Sequence, residues 1–160
     1  MKKMLILLFF VGILAAISMN AAPIQKHPNL AAAQELINKA FLKITAAQKA
    51  NEFDLGGHAG KAKDYLDQAT SELKLAAVEA EENKGEKSAH EKHGTHSDEL
   101  ATNVKHPNLA QAQQYISEAF DRISAAQKAN EFDLGGHAAK AKDALEKASE
   151  EIKLADQEVH

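Results

Sequence analysis

The 160-residue chain carries 19 basic and 23 acidic residues, a net charge of −4, and neither cysteine nor tryptophan. That balance disfavours a nucleic-acid partner, which needs a basic face. Without cysteine, packing must hold the fold, and any metal ligand must be histidine or a carboxylate.

The first element in chain order is a leader. Lys2 and Lys3 precede an unbroken apolar run from Met4 to Ile17, and small residues follow at Ser18, Ala21 and Ala22. This three-part layout predicts a secretory signal peptide over residues 1–22, cleaved near Ala21 or Ala22. The run is shorter than the roughly 20 residues of a membrane span, so no stable membrane insertion is expected after cleavage. Removing Lys2 and Lys3 leaves 17 basic against 23 acidic residues, a net −6.

The remainder compares with itself at an offset of 79. Residues 27–80 and 106–159 are identical at 36 of 54 positions, and Ala46–Ala59 matches Ala125–Ala138 without a break. In the first copy Leu30, Ala33, Ile37, Ala40, Ile44 and Ala47 recur at spacings of three and four; Leu109, Ala112, Ile116, Ala119, Ile123 and Ala126 repeat them. Such a stripe predicts an amphipathic helix with one buried face. Asn29 and Asn108, each after a proline, are expected to cap these helices. Gly56-Gly57 and Gly135-Gly136 then end them, because glycine accepts a left-handed backbone. A second stripe follows in each copy: Ala59, Ala62, Leu66, Ala69, Leu73 and Ala76, then Ala138, Ala141, Leu145, Ala148, Ile152 and Ala155.

Helices are therefore expected near 30–51, 57–82, 109–130 and 136–158. Each copy reads as a helical hairpin, over 23–83 and 106–160. One hairpin alone leaves an apolar face wet, so the expected fold is all-α: an antiparallel four-helix bundle of two duplicated hairpins. The alanine-rich stripes leave little room for an organic cofactor. Residues 84–105 between the copies are polar and lack a stripe, which predicts a linker with, at most, a short helix near Asp98–Asn103.

The chemistry-bearing residues are the histidines. His90, His93 and His96 in the linker have the spacing H-x-x-H-x-x-H, and short histidine-rich tracts ligate copper, nickel or zinc. The alternative is a solvated linker that is merely rich in histidine. His58 and His137 follow the two Gly-Gly pairs and open helices. Glu52 and Asp54 precede the first pair, Glu131 and Asp133 the second. In an up-down-up-down bundle both turns fall at one end, where two histidines and up to four carboxylates could converge on an ion. The other six histidines then gather at the opposite end. The structural alternative is that the acidic residues cap the next helix and His58 packs over Ala62. A copper site of the amino-terminal type is excluded for these turns, since Gly-Gly-His is internal here. Paired Glu-x-x-His motifs, a nucleophile elbow, a phosphate-binding glycine loop and a zinc-protease helix are all missing, so no enzymatic activity is expected.

Gly57-His58 followed by Leu66, Ala69, Leu73 and Ala76, and Gly136-His137 followed by Leu145, Ala148, Ile152 and Ala155, make the chain resemble the small metal-binding protein family of bacteria. The resemblance spans both repeats and not the linker. It implies a periplasmic four-helix bundle that takes up divalent transition-metal ions as a buffer or scavenger, with His58 and His137 as the residues that carry over. The competing expectation is a metal-independent interaction or structural module of the cell envelope.

Overall fold

The computed structural model describes residues 22–51, 55–82, 104–130 and 134–158. They form a short helix α1 (Ala22–Gln25) and four long ones: α2 (Pro28–Asn51), α3 (His58–Glu82), α4 (Pro107–Asn130) and α5 (His137–Gln157). One-turn 3-10 segments, Leu55–Gly57 and Leu134–Gly136, lead into α3 and α5. The long helices pack as a bundle, and among the described residues there is no strand. No described helix is long and apolar enough to cross a membrane.

Both expected stripes are the core. Leu30, Ile37 and Ile44 of α2, Leu66 and Leu73 of α3, and their equivalents Leu109, Ile116, Ile123, Leu145 and Ile152 are all at most 1% exposed. Alanine fills the intervening positions, so the helices can approach closely. Ile24 of α1 is also buried and extends the core at one end. The Asp98–Asn103 helix expected in the linker lies outside the described residues.

Helix starts differ from expectation by one step. Pro28 and Pro107 are the first helical residues of α2 and α4, which shifts the capping position from Asn29 and Asn108 to His27 and His106. Proline suits that first position because its missing N–H would have no partner there. Asp156 Oδ1, from the last turn of α5, accepts the backbone N–H of His106 at 3.0 Å and that of Lys105 at 3.1 Å.

The turns hold an unexpected left-handed run. Leu55, Gly56 and Gly57 have φ of 52°, 63° and 78°; Leu134, Gly135 and Gly136 have 50°, 62° and 73°. Glycine adopts this backbone without penalty, but a branched residue there costs on the order of 1–2 kcal/mol. Burial offsets that cost: Leu55 and Leu134 are 2% and 1% exposed. Each leucine is thus a plug driven into the core by a turn that its own backbone resists.

The ends of the bundle do not follow the up-down-up-down expectation. A Cβ at Gly56 would meet Glu158, just past α5, and a Cβ at Gly135 would meet Glu79, near the end of α3. The first turn therefore sits beside the end of α5, and the second beside the end of α3. The two glycine turns lie at opposite ends. Glu82 lies at the end shared by His27 and the second turn, whereas Lys105 lies at the other, bound to Asp156. The two largest interfaces join α2 to α4 and α3 to α5, one helix from each hairpin.

Candidate functional site

Opening α3, His58 points across the bundle rather than along its own helix. Its Nδ1 is 2.6 Å from Glu151 Oε2 on α5, and His137 Nδ1, at the start of α5, is 2.6 Å from Glu72 Oε2 on α3. His58 and His137 are equivalent at the offset of 79, and so are Glu72 and Glu151. Each repeat supplies the histidine of one pair and the carboxylate of the other. The four side chains are only 16–20% exposed, so these contacts are shielded from solvent in a way that a surface ion pair is not. A carboxylate can only accept, so Nδ1–H donates, and in a neutral ring the lone pair then lies on Nε2. The second shell of a metal-ligating histidine has this form.

Both sequence alternatives for the turn change. His58 is engaged by Glu151, a partner from the other repeat, which packing over Ala62 did not foresee. Convergence of the turns is also excluded. Fourteen residues of α3 separate His58 from Glu72, which holds His137, a distance of about 21 Å at 1.5 Å per residue. A first-shell metal bond is about 2 Å, so His58 and His137 cannot share one ion. The expected six-to-two division of histidines fails for the same topological reason. Of the four described, His27 and His137 lie at one end, His58 and His106 at the other.

His90, His93, His96, Glu52, Asp54, Glu131 and Asp133 lie outside the described residues. Within the described residues, no three His, Cys, Asp or Glu side chains are grouped so as to hold a metal ion. Each end thus offers one imidazole held through Nδ1 by a carboxylate of the other repeat, and the described residues do not close a coordination shell around it.

Sequence reasoning missed Glu72 and Glu151. The signal was present in the duplication: both carboxylates lie fourteen residues after their own repeat's histidine, unchanged between the copies. What hid them was the assumption that a histidine's partner would be near it in sequence or in the adjacent turn. At the ends of the hairpins, His27 Nε2 is 3.3 Å from Glu81 Oε1 and His106 Nε2 is 3.9 Å from Asp156 Oδ1. The first of these is reinforced by Lys26, which donates to Glu81 Oε2 at 3.2 Å. No family model, no curated protein and no solved structure matches this chain.

Proposed function

We propose that the chain is an exported, non-enzymatic bundle that binds copper, nickel or zinc ions in readily exchanged form. In this reading residues 1–22 are a signal peptide, and cleavage near Ala21 or Ala22 leaves the buried Ile24 in the mature chain. The mature protein is a duplicated hairpin whose two copies pack antiparallel, and it works in the periplasm or outside the cell. The supporting observation is the pair of carboxylate-held histidines. Glu151 and Glu72 fix the rings of His58 and His137 through Nδ1 and leave Nε2 as the donor for a metal. The two donors serve separate ions at opposite ends, with Glu52 and Asp54, or Glu131 and Asp133, near each in sequence. His90, His93 and His96 supply further imidazoles. An open ligand set suits a buffer that releases its ion, unlike the closed four-ligand shell of a structural site.

A metal-independent role is the second reading, and the same pairs favour it, because each one ties the two hairpins together. Calorimetric titration of the mature chain with Cu(II), Ni(II) and Zn(II) separates the two. Under the metal reading, His58→Gln with His137→Gln lowers stoichiometry, His90, His93 and His96 to Ala lowers it further, and binding weakens below about pH 6.5 as protons compete for imidazole. No binding by the unsubstituted chain leaves the envelope module as the function, and uptake unchanged in all these variants removes the named histidines from the site.

A further inference from the structure

We propose that the face on which the two hairpins meet also accepts a second copy of the chain, hairpin for hairpin, so that the first repeat of one molecule packs on the second repeat of the other. This rests on the antiparallel pairing of repeats inferred above. Three observations carry it.

The first is reciprocity. His58 with Glu151 is matched by His137 with Glu72, and Gly56 against Glu158 by Gly135 against Glu79. Every such contact joins one repeat to the other, and the largest interfaces do the same. A second molecule's hairpin offers the same set, so exchange breaks none of these contacts and creates no new surface.

The second is where the hairpins are joined. Glu82 and Lys105 lie at opposite ends of the bundle, about 35 Å apart for helices of this length. Twenty-one residues, 83–103, lie between the described parts of the hairpins, and an extended chain of that length reaches about 70 Å. It can close the bundle within one molecule. Closure within the molecule corresponds to an effective concentration in the millimolar range. The monomer therefore dominates at micromolar concentration, and exchange competes when folding takes place near millimolar.

The third is selectivity. The paired contacts place the pseudo-twofold axis midway between His58 and Glu72 on α3, at Tyr65, and midway between His137 and Glu151 on α5, at Ala144. On the other side of the bundle, Lys39 and Glu118 are equivalent positions that line one groove between α2 and α4. Glu35 holds the Lys39 ammonium above its ordinary range, with smaller contributions from Tyr115 and Glu118. Pairing unlike repeats puts a cation by an anion and a large residue by a small one. Pairing like repeats would set Lys39 by Lys39 and Tyr65 by Tyr65, or Glu118 by Glu118 and Ala144 by Ala144. The partner of a first hairpin is thus a second hairpin, from either molecule.

The chain has no cysteine, so single thiols report cleanly. Full-length Lys39→Cys and Glu118→Cys chains, differently tagged, are unfolded together, refolded at micromolar and near-millimolar concentration, and treated with a short bismaleimide. The expected result is a mixed crosslinked species of twice the chain mass, a trace at the lower concentration and a major product at the higher. A chain carrying both substitutions is the control for pairing itself. If the control fails to crosslink internally, the antiparallel pairing is wrong. If it crosslinks but the mixture stays monomeric at both concentrations, exchange is refuted and pairing stands. Crosslinking among Lys39→Cys chains alone would overturn the selectivity.

Discussion

In the first hairpin the Lys63 ammonium lies 5.2 Å from the centre of the Phe41 ring, and both side chains keep partial exposure. In the second, Lys142 lies 4.8 Å from Phe120 and the two are 1% and 2% exposed. The positions are equivalent, the residues identical and the contact the same. Only desolvation differs. A cation over a ring contributes about 0.5–1 kcal/mol when exposed and about 2 when desolvated, but taking the charge out of water costs more than that unless a carboxylate answers it. Gln34 with Thr70 and Gln113 with Ser149 make a second equivalent pair, the later one again fully buried. The lesson is that these ring and amide contacts persist in both repeats, while the second encloses these particular polar groups more tightly.

The largest effect should come from what the hairpins share. Leu55→Ala and Leu134→Ala each remove a buried plug, at a cost of about 2–4 kcal/mol. Urea unfolding of the two variants should give midpoints that agree closely. A much smaller loss at either leucine would mean that its turn is held by something other than the plug. Next come the cross-hairpin pairs. His58→Gln and His137→Gln should each cost about 1–2 kcal/mol, since a hydrogen bond to a shielded carboxylate is lost. Combining His58→Gln with Glu151→Gln should cost less than the sum of the two singles, because they act on one contact. An additive double variant would deny that contact its energy.

The sequence read the helices well and their arrangement poorly, for a physical reason. Periodicity is local: the stripe Leu30, Ala33, Ile37 reports a buried face whatever lies against it, so four helices were legible to within two residues. The end at which each turn falls depends on how residues 83–103 connect the hairpins, and a polar segment is compatible with either arrangement. The duplication could have helped, since a two-fold pairing predicts that His58 meets Glu151 if His137 meets Glu72. The left-handed leucines were illegible because propensity argues against them; only burial in the finished core compensates. Of the candidate ligands, His58 and His137 are found mostly buried and oriented, with partners that no turn motif announces.

The smallest expected effect bears most directly on the difference between the hairpins. Burial pushes the Lys142 ammonium below the ordinary lysine range; Glu146 pulls the other way, and Lys128 adds to the downward push. A lysine with a lowered folded value is penalised while charged, so at neutral pH the fold carries the full cost. As pH rises between the folded value and the unfolded 10.5, the native state releases its proton first and the unfolded chain holds more protons. Lys142 therefore makes its contribution to stability rise with pH across that window and flatten above it. Lys142→Met keeps the length, removes the charge and should stabilise by about 1 kcal/mol at neutral pH. Lys63→Met, at a position still in touch with water, should change stability by less than about 0.5 kcal/mol. The difference between wild type and Lys142→Met should narrow as pH approaches 10.5. The raised values of Lys39 and Lys147 act above that range and in the opposite sense, and both cancel in the comparison because both proteins contain them. Urea unfolding at pH 7 and pH 10 reads the result. Equal gains from the two methionine variants, or a gain that does not shrink with pH, would show that the second hairpin encloses its lysine no more tightly than the first.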